Sequence, residues 1–161
     1  VVEPTPVTSI VIAQQDVTMK RGDNMKLSYS VLPSENSDDI EFSSDNKRVA
    51  TVNRKGVVKA VGTGNAVITI LATSGVSSTV NVNVVALNKS VLNIRQYDTE
   101  TLLVHGTANA VTWYSSNTRV ATVANGKVVA KGTGTAYIYA YVNGCKMGCQ
   151  VNVTSVNNKN R

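Results

Sequence analysis

Two stretches of the chain repeat one another: FSSDNKRVATVNRKGVVKAVGTGNAVITI at Phe42–Ile70 and WYSSNTRVATVANGKVVAKGTGTAYIYA at Trp113–Ala140. Each copy contains the letters RVATV, followed by a GTG triplet. The copies lie about 70 residues apart, and self-similarity at a fixed spacing is typical of a tandem array. A spacing of this length suits a small all-β domain, so we expect two such domains in the 161 residues.

Apolar and polar residues alternate in several short segments, which is typical of half-buried β-strands. The first copy predicts strands at residues 7–13 and 26–31, and in the latter Leu27, Tyr29 and Val31 should face inward. The second copy predicts strands at residues 87–94, 102–104, 111–114, 120–123, 128–131, 136–142 and 149–153. Short strands separated by Gly, Asn and Ser turns, with no helical period, predict two β-sandwiches.

Phe42 and Trp113 occupy the same position in the two copies. Large aromatic rings supply much of the apolar area in a small core, and some sandwiches pack an inward Trp between their sheets. We therefore expect both rings to be buried at the centre of their domains.

The repeated residues resemble a known family. An aromatic residue, serines, an Arg-Val-Ala-Thr-Val strand, Gly-x-Val and Gly-Thr-Gly-x-Ala-x-Ile are similar to the bacterial immunoglobulin-like group 2 domain, Big2. The resemblance extends over nearly all of both copies and departs at Phe42, where the family prefers Trp. It implies tandem immunoglobulin-like β-sandwiches of the kind used as extracellular spacers and adhesion modules, which also decorate some phage virions.

The resemblance leads to a prediction of function. We expect a non-catalytic structural or adhesion module of a bacterial surface or secreted protein, which binds a glycan or a protein partner weakly. The alternative is a decoration or tail domain of a phage virion protein that binds a host surface polymer. The two settings share the fold, so the sequence leaves both open.

The repeats place the domain boundaries close together. We predict a linker at residues 1–6, domains at residues 7–85 and 86–154, and a flexible tail at residues 155–161. No Gly/Pro/Ser-rich tether separates the domains, which predicts a stiff junction and an elongated pair. The residues contain no secretory signal and no apolar run of membrane length. We expect a monomeric piece of a larger multidomain chain that does not insert into a membrane.

The positive charge belongs to the second half of the chain. Residues 1–85 contain eight Lys/Arg and eight Asp/Glu, whereas residues 86–161 contain eight Lys/Arg against Asp98 and Glu100, which gives the net +6. A basic field favours anionic partners, and an anionic polysaccharide or a surface protein is the predicted partner, with no specific nucleic acid. Solubility alone is the alternative explanation for this charge.

The residue types needed for catalysis or metal binding are not grouped. His105 is the only histidine and is predicted to point to solvent, which leaves no catalytic triad and no His/Cys metal site. The acidic loop at residues 34–39 lacks the ligand spacing of a calcium loop. The triplets at residues 62–64 and 132–134 lack the Lys-Ser/Thr of a phosphate loop and predict tight corners. We expect no enzyme activity, no metal and no cofactor.

The two cysteines follow an Asn143-Gly144 pair, which is a strong signal for a two-residue hairpin. With that turn, Val142 lies opposite Cys145, and Cys149 lies about 13 Å further along the same strand. A disulfide requires Cα atoms within about 7 Å, so two buried thiols are expected. A turn at residues 146–148 that would place the cysteines opposite one another in a disulfide is the open alternative.

Tyrosines supply the candidate partner-binding surface. Alternation in the strand at residues 136–142 turns its tyrosines outward, and Tyr114 faces outward because Trp113 faces inward. The first copy has Val67, Thr69 and Leu71 in the equivalent stripe, so the fold does not require aromatic residues there. Rigid amphipathic rings beside positive charge predict a binding platform, although tyrosines also pair across solvated sheets. The candidate residues are Tyr114, Tyr137, Tyr139 and Tyr141.

Overall fold

The computed structural model describes residues 3–156, which form seventeen β-strands and no helix. The chain divides into two compact units, Val1–Val85 and Ala86–Arg161. The parts of the predicted linker and tail at residues 1–2 and 157–161 lie outside the described residues. The prediction of an all-β fold is confirmed.

The first unit is a sandwich of two sheets around one core. Its strands are β1 (Ser9–Ile12), β2 (Asp16–Lys20), β3 (Asn24–Lys26), β4 (Tyr29–Leu32), β5 (Ile40–Ser44), β6 (Ala50–Val52), β7 (Val57–Ala60), β8 (Gly64–Ala72) and β9 (Ser77–Leu87). One sheet has the order β5-β8-β9-β2, in which β2 and β9 are parallel, and the other has the order β3-β7-β6. The strands β1 and β4 form a separate antiparallel pair. Alternate residues of both sheets meet in the core, among them the fully buried Val58, Ile68 and Ile70.

The prediction of one strand at residues 26–31 is wrong. β3 ends at Lys26 and pairs with β7, whereas β4 begins at Tyr29 and pairs with β1. Leu27, between the two strands, is buried as expected, but Tyr29 is exposed and meets the ring of Phe42 edge-on, with ring centroids 5.5 Å apart. The change of partner leaves no mark in the alternation, because an apolar residue still occupies every second position.

The second unit repeats this plan. Its strands are β10 (Val91–Arg95), β11 (Thr99–Thr101), β12 (Val104–His105), β13 (Thr112–Ser115), β14 (Ala121–Ala124), β15 (Lys127–Ala130), β16 (Gly134–Val142) and β17 (Cys145–Thr154). One sheet has the order β10-β17-β16-β13, in which β10 and β17 are parallel, and the other has the order β11-β15-β14. The short β12 pairs with Ala86 and Leu87, the last two residues of β9, which already belong to the second unit.

Two strand predictions in the second unit are also wrong. The strand expected at residues 87–94 begins only at Val91, and the strand expected at residues 102–104 is interrupted, since only Val104 belongs to β12. The side chain of Asn88 provides the reason. The Oδ1 atom of Asn88 accepts the backbone N–H of Leu103 at 2.9 Å. The backbone N–H of Asn88 donates to the carbonyl of Leu103, also at 2.9 Å. An Asn side chain thereby replaces a ladder bond at this point.

The serines of the repeat tie the two sheets of each sandwich together. The Ser44 hydroxyl on β5 donates to the Ala50 carbonyl on β6 at 2.6 Å. The Ser115 hydroxyl on β13 makes the same bond to the Ala121 carbonyl on β14 at 2.6 Å. Each bond satisfies a polar group at the open edge between two sheets, and this accounts for serine at both positions.

The predicted tight corners are confirmed at Gly62 and Gly132. A Cβ on Gly62 would lie 2.6 Å from the carbonyl oxygen of Arg48, and a Cβ on Gly132 would lie 2.7 Å from that of Arg119. The backbone of each corner comes so close to the turn before β6 or β14 that only glycine fits.

Phe42 and Trp113 are equivalent residues, opposite Ile70 and Ala140 on the neighbouring strands. The prediction that they are buried is wrong, because both are only partly buried and pack against the edge of their cores. Each ring lies on an edge strand, β5 or β13, and therefore covers the edge of the sandwich rather than its centre.

Candidate ligand-binding face

The outward side chains of the sheet β10-β17-β16-β13 form rows that run across its strands. We call this surface the outer face. Successive rows are separated by two residues, or about 7 Å. In order along the sheet, the first row is Thr112, Tyr141 and Lys146, and the second is Tyr114, Tyr139 and Gly148. The third row is Tyr137, Gln150 and Val91, the fourth is Thr135, Asn152 and Asn93, and the fifth is Thr154 and Arg95.

Three of the four candidate tyrosines come together as a tyrosine ladder of Tyr114, Tyr139 and Tyr137. The ring centroids of Tyr114 and Tyr139 are 6.3 Å apart with the planes inclined by 19°, and those of Tyr137 and Tyr139 are 6.3 Å apart with an inclination of 15°. These separations lie within the range of interacting aromatic pairs. Tyr114 is 56% exposed and Tyr137 is 44% exposed, while Tyr139 between them is half-buried.

A lysine connects the fourth tyrosine to this ladder. The Nζ atom of Lys146 lies 4.0 Å from the ring centroid of Tyr139 and 6.0 Å from that of Tyr141, which is a cation–π arrangement. Tyr139 can cover the next strand because its partner there is Gly148, where a Cβ would lie 3.2 Å from the Cε1 atom of the ring. The positive charge is thus held over two half-buried rings, one of which stacks with the exposed Tyr114 and Tyr137.

A second set of polar side chains adjoins the tyrosines, and we call it the amide ladder. The Oδ1 atom of Asn152 accepts the hydroxyl of Thr135 at 3.0 Å and the Nε2 of Gln150 at 3.2 Å. The Nδ2 of Asn152 donates to the Oδ1 of Asn93 at 2.9 Å. The bonds fix the orientation of Asn152 and do not involve the Oε1 atom of Gln150 or the Nδ2 atom of Asn93.

Lys146, Gly148 and the amide ladder were not identified as site residues from the sequence. One signal for part of them was available, since the hairpin that puts Val142 opposite Cys145 also puts Tyr141 opposite Lys146 and Tyr139 opposite Gly148.

The outer face carries no negative charge, since strands β10, β13, β16 and β17 contain no Asp or Glu. Lys146 and Arg95, both exposed, lie in its first and last rows. The corresponding face of the first unit lacks the tyrosines and carries acidic side chains. Its β8 presents Val67, Thr69 and Leu71 in place of the tyrosines. Glu41 on the neighbouring β5 and Asp16 on β2 add negative charge.

The acidic loop of the first unit forms structural bonds. The Asp38 carboxylate accepts the N–H of Val7 at 2.9 Å and the N–H of Ser74 at 3.3 Å, and so joins the start of the unit to the turn after β8. Hydrogen bonding from the Ser74 side chain, followed by that from the Val7 N–H, lowers the pKa of Asp38 below its usual 3.8. The Ser74 hydroxyl has one proton, and the carbonyl of Val7, 3.1 Å away, competes with Asp38 for it. Among the residues that the structure describes, the N–H of Val7 has no such competing acceptor and is therefore the more constant donor to the Asp38 carboxylate.

The other residues considered for chemistry stay apart. His105 is exposed on β12, and residues 3–156 contain no group of three His, Cys, Asp or Glu side chains that could hold a metal ion. In the same part of the chain no helix has the length and apolar character that a membrane crossing takes.

The hairpin at Asn143-Gly144 has the predicted register, with Val142 opposite Cys145 and Ile138 opposite Cys149. The alternative turn at residues 146–148 is therefore wrong, and both cysteines carry thiols. Cys149 is buried, which raises the pKa of its thiol, but Cys145 is only half-buried because it adjoins the turn. The expectation of two buried thiols holds for Cys149 alone.

Two family models match the chain. Residues 6–84 match the bacterial Ig-like domain (group 2), and residues 95–141 match the intimin immunoglobulin-like domain. The two matches fall in the first and the second unit respectively.

Similar proteins include a carrageenase, an intimin fragment and a surface layer protein. The kappa-carrageenase of Pseudoalteromonas carrageenovora is 40% identical over 65 residues, which cover 40% of this chain and 16% of that protein. A C-terminal 282-residue fragment of intimin, solved in complex with the intimin-binding domain of its translocated receptor, is 15% identical over 92% of this chain and 64% of that chain, with a TM-score of 0.49. Domains 1–6 of the surface layer protein SbsC are 17% identical over 97% of this chain and 29% of that chain, with a TM-score of 0.41.

Proposed function

Because the chain belongs to the bacterial immunoglobulin-like domains, with a group 2 domain at residues 6–84, we propose that it is a non-catalytic adhesion module of a bacterial surface or secreted protein. Domains of this kind are typically extracellular, structural or adhesive, and without catalytic activity. In this proposal residues 7–85 and 86–154 are separate domains, and the second contacts a surface polysaccharide through its tyrosine ladder.

The tyrosine ladder is the observation that carries the proposal. Tyr114 and Tyr137 expose 56% and 44% of their surface, and their rings contribute nothing to the core of the unit. The first unit builds the same sheet with Val67, Thr69 and Leu71 on β8, so selection for folding alone does not account for rings in the second. A row of rigid rings with polar hydroxyls offers large contact area at low cost in conformational entropy.

A polysaccharide is favoured over a protein as the partner for two reasons. The amide ladder next to the rings supplies donors and acceptors suited to hydroxyl groups, and a sugar ring presents both an apolar face and hydroxyls. The partial match to a kappa-carrageenase, an enzyme named for a polysaccharide, is consistent with a setting in polysaccharide binding. A phage virion domain, the alternative setting, would use the same face, so one test serves for both.

The proposal is tested by giving the second unit the residues of the first. The variant Tyr137→Val/Tyr139→Thr places there the side chains that the first unit has at positions 67 and 69. Leu71→Thr, which removes an exposed apolar side chain from the first unit, is the matched control. Both variants should keep the melting temperature of the parent within a few degrees, because the substituted side chains are outside the core.

Binding is measured by affinity electrophoresis against acidic and neutral polysaccharides and by pull-down from bacterial and host surface extracts. The parent and the control should be retained, and the tyrosine variant should lose at least about tenfold in affinity. The proposal is contradicted if the tyrosine variant binds as well as the parent, or if the parent is retained by no polysaccharide. Retention from extracts that survives periodate oxidation of the sugars but not protease treatment would assign the partner to proteins instead.

A further inference from the structure

The outer face extends well beyond the tyrosines. Its five rows begin with Lys146 and end with Arg95, and with about 7 Å between rows it measures roughly 27 Å along the strands. The tyrosine ladder lies in the second and third rows, and the amide ladder occupies mainly the fourth. The surface is therefore long in the strand direction and changes in chemistry from one end to the other.

We propose that this face binds an anionic polysaccharide that runs along the strands from Lys146 to Arg95 over both ladders. The inference rests on the proposed function and adds the charge of the polymer and its path. Charge complementarity is the main reason for it. The four strands contain no Asp or Glu, so a polymer with carboxylate or sulfate groups meets no repulsion on the face.

Neither cation of the face is neutralised by an acidic neighbour. Among residues 3–156 the one ion pair joins Lys89 to Glu100. Lys146 is held instead over the rings of Tyr139 and Tyr141, 4.0 and 6.0 Å from their centroids. A ring face attracts the ammonium group but does not cancel its charge, so Lys146 can bind an anionic group on a sugar that packs against the same rings.

The amide ladder gives the third and fourth rows of this path their hydrogen-bonding groups. Asn152 is fixed by three bonds, to Thr135, Gln150 and Asn93, at 3.0, 3.2 and 2.9 Å. In the described part of the chain, the second N–H of Gln150 and the amide nitrogen of Asn93 form no side-chain bond. Groups that are already oriented lose little entropy when they bind a ligand, which favours sugar hydroxyls at this position.

The test compares polymers that share a backbone and differ in charge. Carboxymethyl cellulose is compared with hydroxyethyl cellulose, and dextran sulfate with dextran, by affinity electrophoresis at low salt and at about 0.5 M salt. The parent should bind the anionic member of a pair at least about tenfold more tightly than the neutral member. The preference should shrink at the higher salt concentration, because salt screens exposed charges.

Two pairs of charge substitutions locate the effect. Lys146→Gln/Arg95→Gln should weaken binding of the anionic polymer about tenfold. The matched control, Lys127→Gln/Arg119→Gln, removes the same charge from β15 and from the loop before β14, and it should change binding less than about twofold. If the control weakens binding as much as the test variant, the attraction is a property of net charge and the path over the outer face is wrong.

The outcomes also separate this inference from the proposed function. Equal binding of charged and neutral polymers, lost in Tyr137→Val/Tyr139→Thr but kept in Lys146→Gln/Arg95→Gln, would overturn the anionic ligand and leave the tyrosine platform in place. Binding of the anionic polymer that depends on Lys146 and Arg95 but not on the tyrosines would overturn the platform. No binding of any of the four polymers by the parent would overturn the inference.

Discussion

The indole of Trp113 lies against Gly126, where a Cβ atom would stand 3.2 Å from the Cζ2 atom of the ring. The first unit has the same arrangement, with the ring of Phe42 3.2 Å from a Cβ built on Gly56. Each unit thus closes the edge of its sandwich with an aromatic ring over the glycine of a turn. The second unit is tighter, because the same Cβ on Gly126 would lie 2.4 Å from the carbonyl oxygen of Leu102.

The difference between the two glycines predicts unequal effects of alanine. Both have a left-handed backbone, with φ 84° at Gly126 and 79° at Gly56, which costs an L-residue on the order of 1–3 kcal/mol. Gly126→Ala must in addition displace the backbone of Leu102, whereas Gly56→Ala meets only a ring. We expect Gly126→Ala to lower the free energy of unfolding by about 3 kcal/mol and Gly56→Ala by about 1–2 kcal/mol. Urea titration measures the loss of free energy of unfolding in both variants, with unfolding followed by circular dichroism and, for the second unit, by Trp113 fluorescence. Equal losses in the two variants would contradict the tighter fit at Gly126.

Trp113 should still be important for the stability of the second unit although it is only half-buried. Trp113→Ala removes the ring that covers Gly126 and should cost about 3 kcal/mol, at the lower end of the range for large aromatic truncations. Trp113→Phe restores the ring type found at position 42 and should cost about 1 kcal/mol. Thermal unfolding by circular dichroism compares the variants. An alanine variant that melts within a few degrees of the parent would show that the ring does not stabilise the sandwich.

Tyr97 adopts a backbone conformation that the first unit assigns to glycine. Its φ is 75°, and Gly22 in the equivalent turn has φ 95°. The turns make the same bond, from the Tyr97 N–H to the Ala130 carbonyl at 2.8 Å and from the Gly22 N–H to the Ala60 carbonyl at 2.9 Å. The left-handed conformation costs tyrosine about 1–3 kcal/mol, while glycine loses about 0.5–1 kcal/mol more entropy. Tyr97→Gly should therefore stabilise the second unit by about 1 kcal/mol, and Gly22→Tyr should destabilise the first by a similar amount. A loss of stability in Tyr97→Gly would indicate that the hydrogen bond from the Nε2 of Gln96 to the Tyr97 hydroxyl, at 3.2 Å, outweighs the relief of the backbone.

Asp38 should make the stability of the first unit depend on pH. The bonds from Ser74 and Val7 lower the pKa of this carboxyl in the folded state below its usual 3.8. A lowered pKa means that the ionised form stabilises the fold, so the contribution is present above the unfolded pKa and is lost as the pH falls through the folded pKa. Asp38→Asn should thus be less stable than the parent at neutral pH, and the difference should close as the pH falls below about 3.8. Denaturant titrations at neutral and acidic pH measure this difference in the free energy of unfolding of the first unit. The Trp113 fluorescence of the second unit serves as the internal control. A difference between parent and variant that does not change with pH would contradict the role of the charge.

Local patterns predicted much of the fold because they act over short distances along the chain. Asn143-Gly144 fixed the hairpin register of β16 and β17, since the turn type and the alternation have to agree. The same alternation placed Ile138, Ala140 and Cys149 in the core, where all three are buried. The repeat also located the tight corners at Gly62 and Gly132.

The features that the sequence did not predict depend on contacts between distant residues or on side-chain orientation. The bond between Asn152 and Asn93 joins residues 59 positions apart and exists because β10 runs parallel to β17, a pairing that alternation does not encode. The position of Lys146 over Tyr139 depends on the direction of a long, flexible side chain. The partial burial of Trp113 follows from the place of β13 at the edge of its sheet, and an inward-facing residue on a central strand would give the same local pattern.

Nuclear magnetic resonance titration of the ¹⁵N-labelled chain with short carboxymethyl cellulose oligosaccharides tests most directly whether the outer face binds the polymer. Chemical shift changes should concentrate on the amides of Tyr137, Tyr139, Lys146 and Gln150 and their row neighbours, and Tyr137→Val/Tyr139→Thr should abolish them. Changes confined to the first unit or to the sheet β11-β15-β14, or no changes at saturating ligand, would contradict a binding site on the outer face.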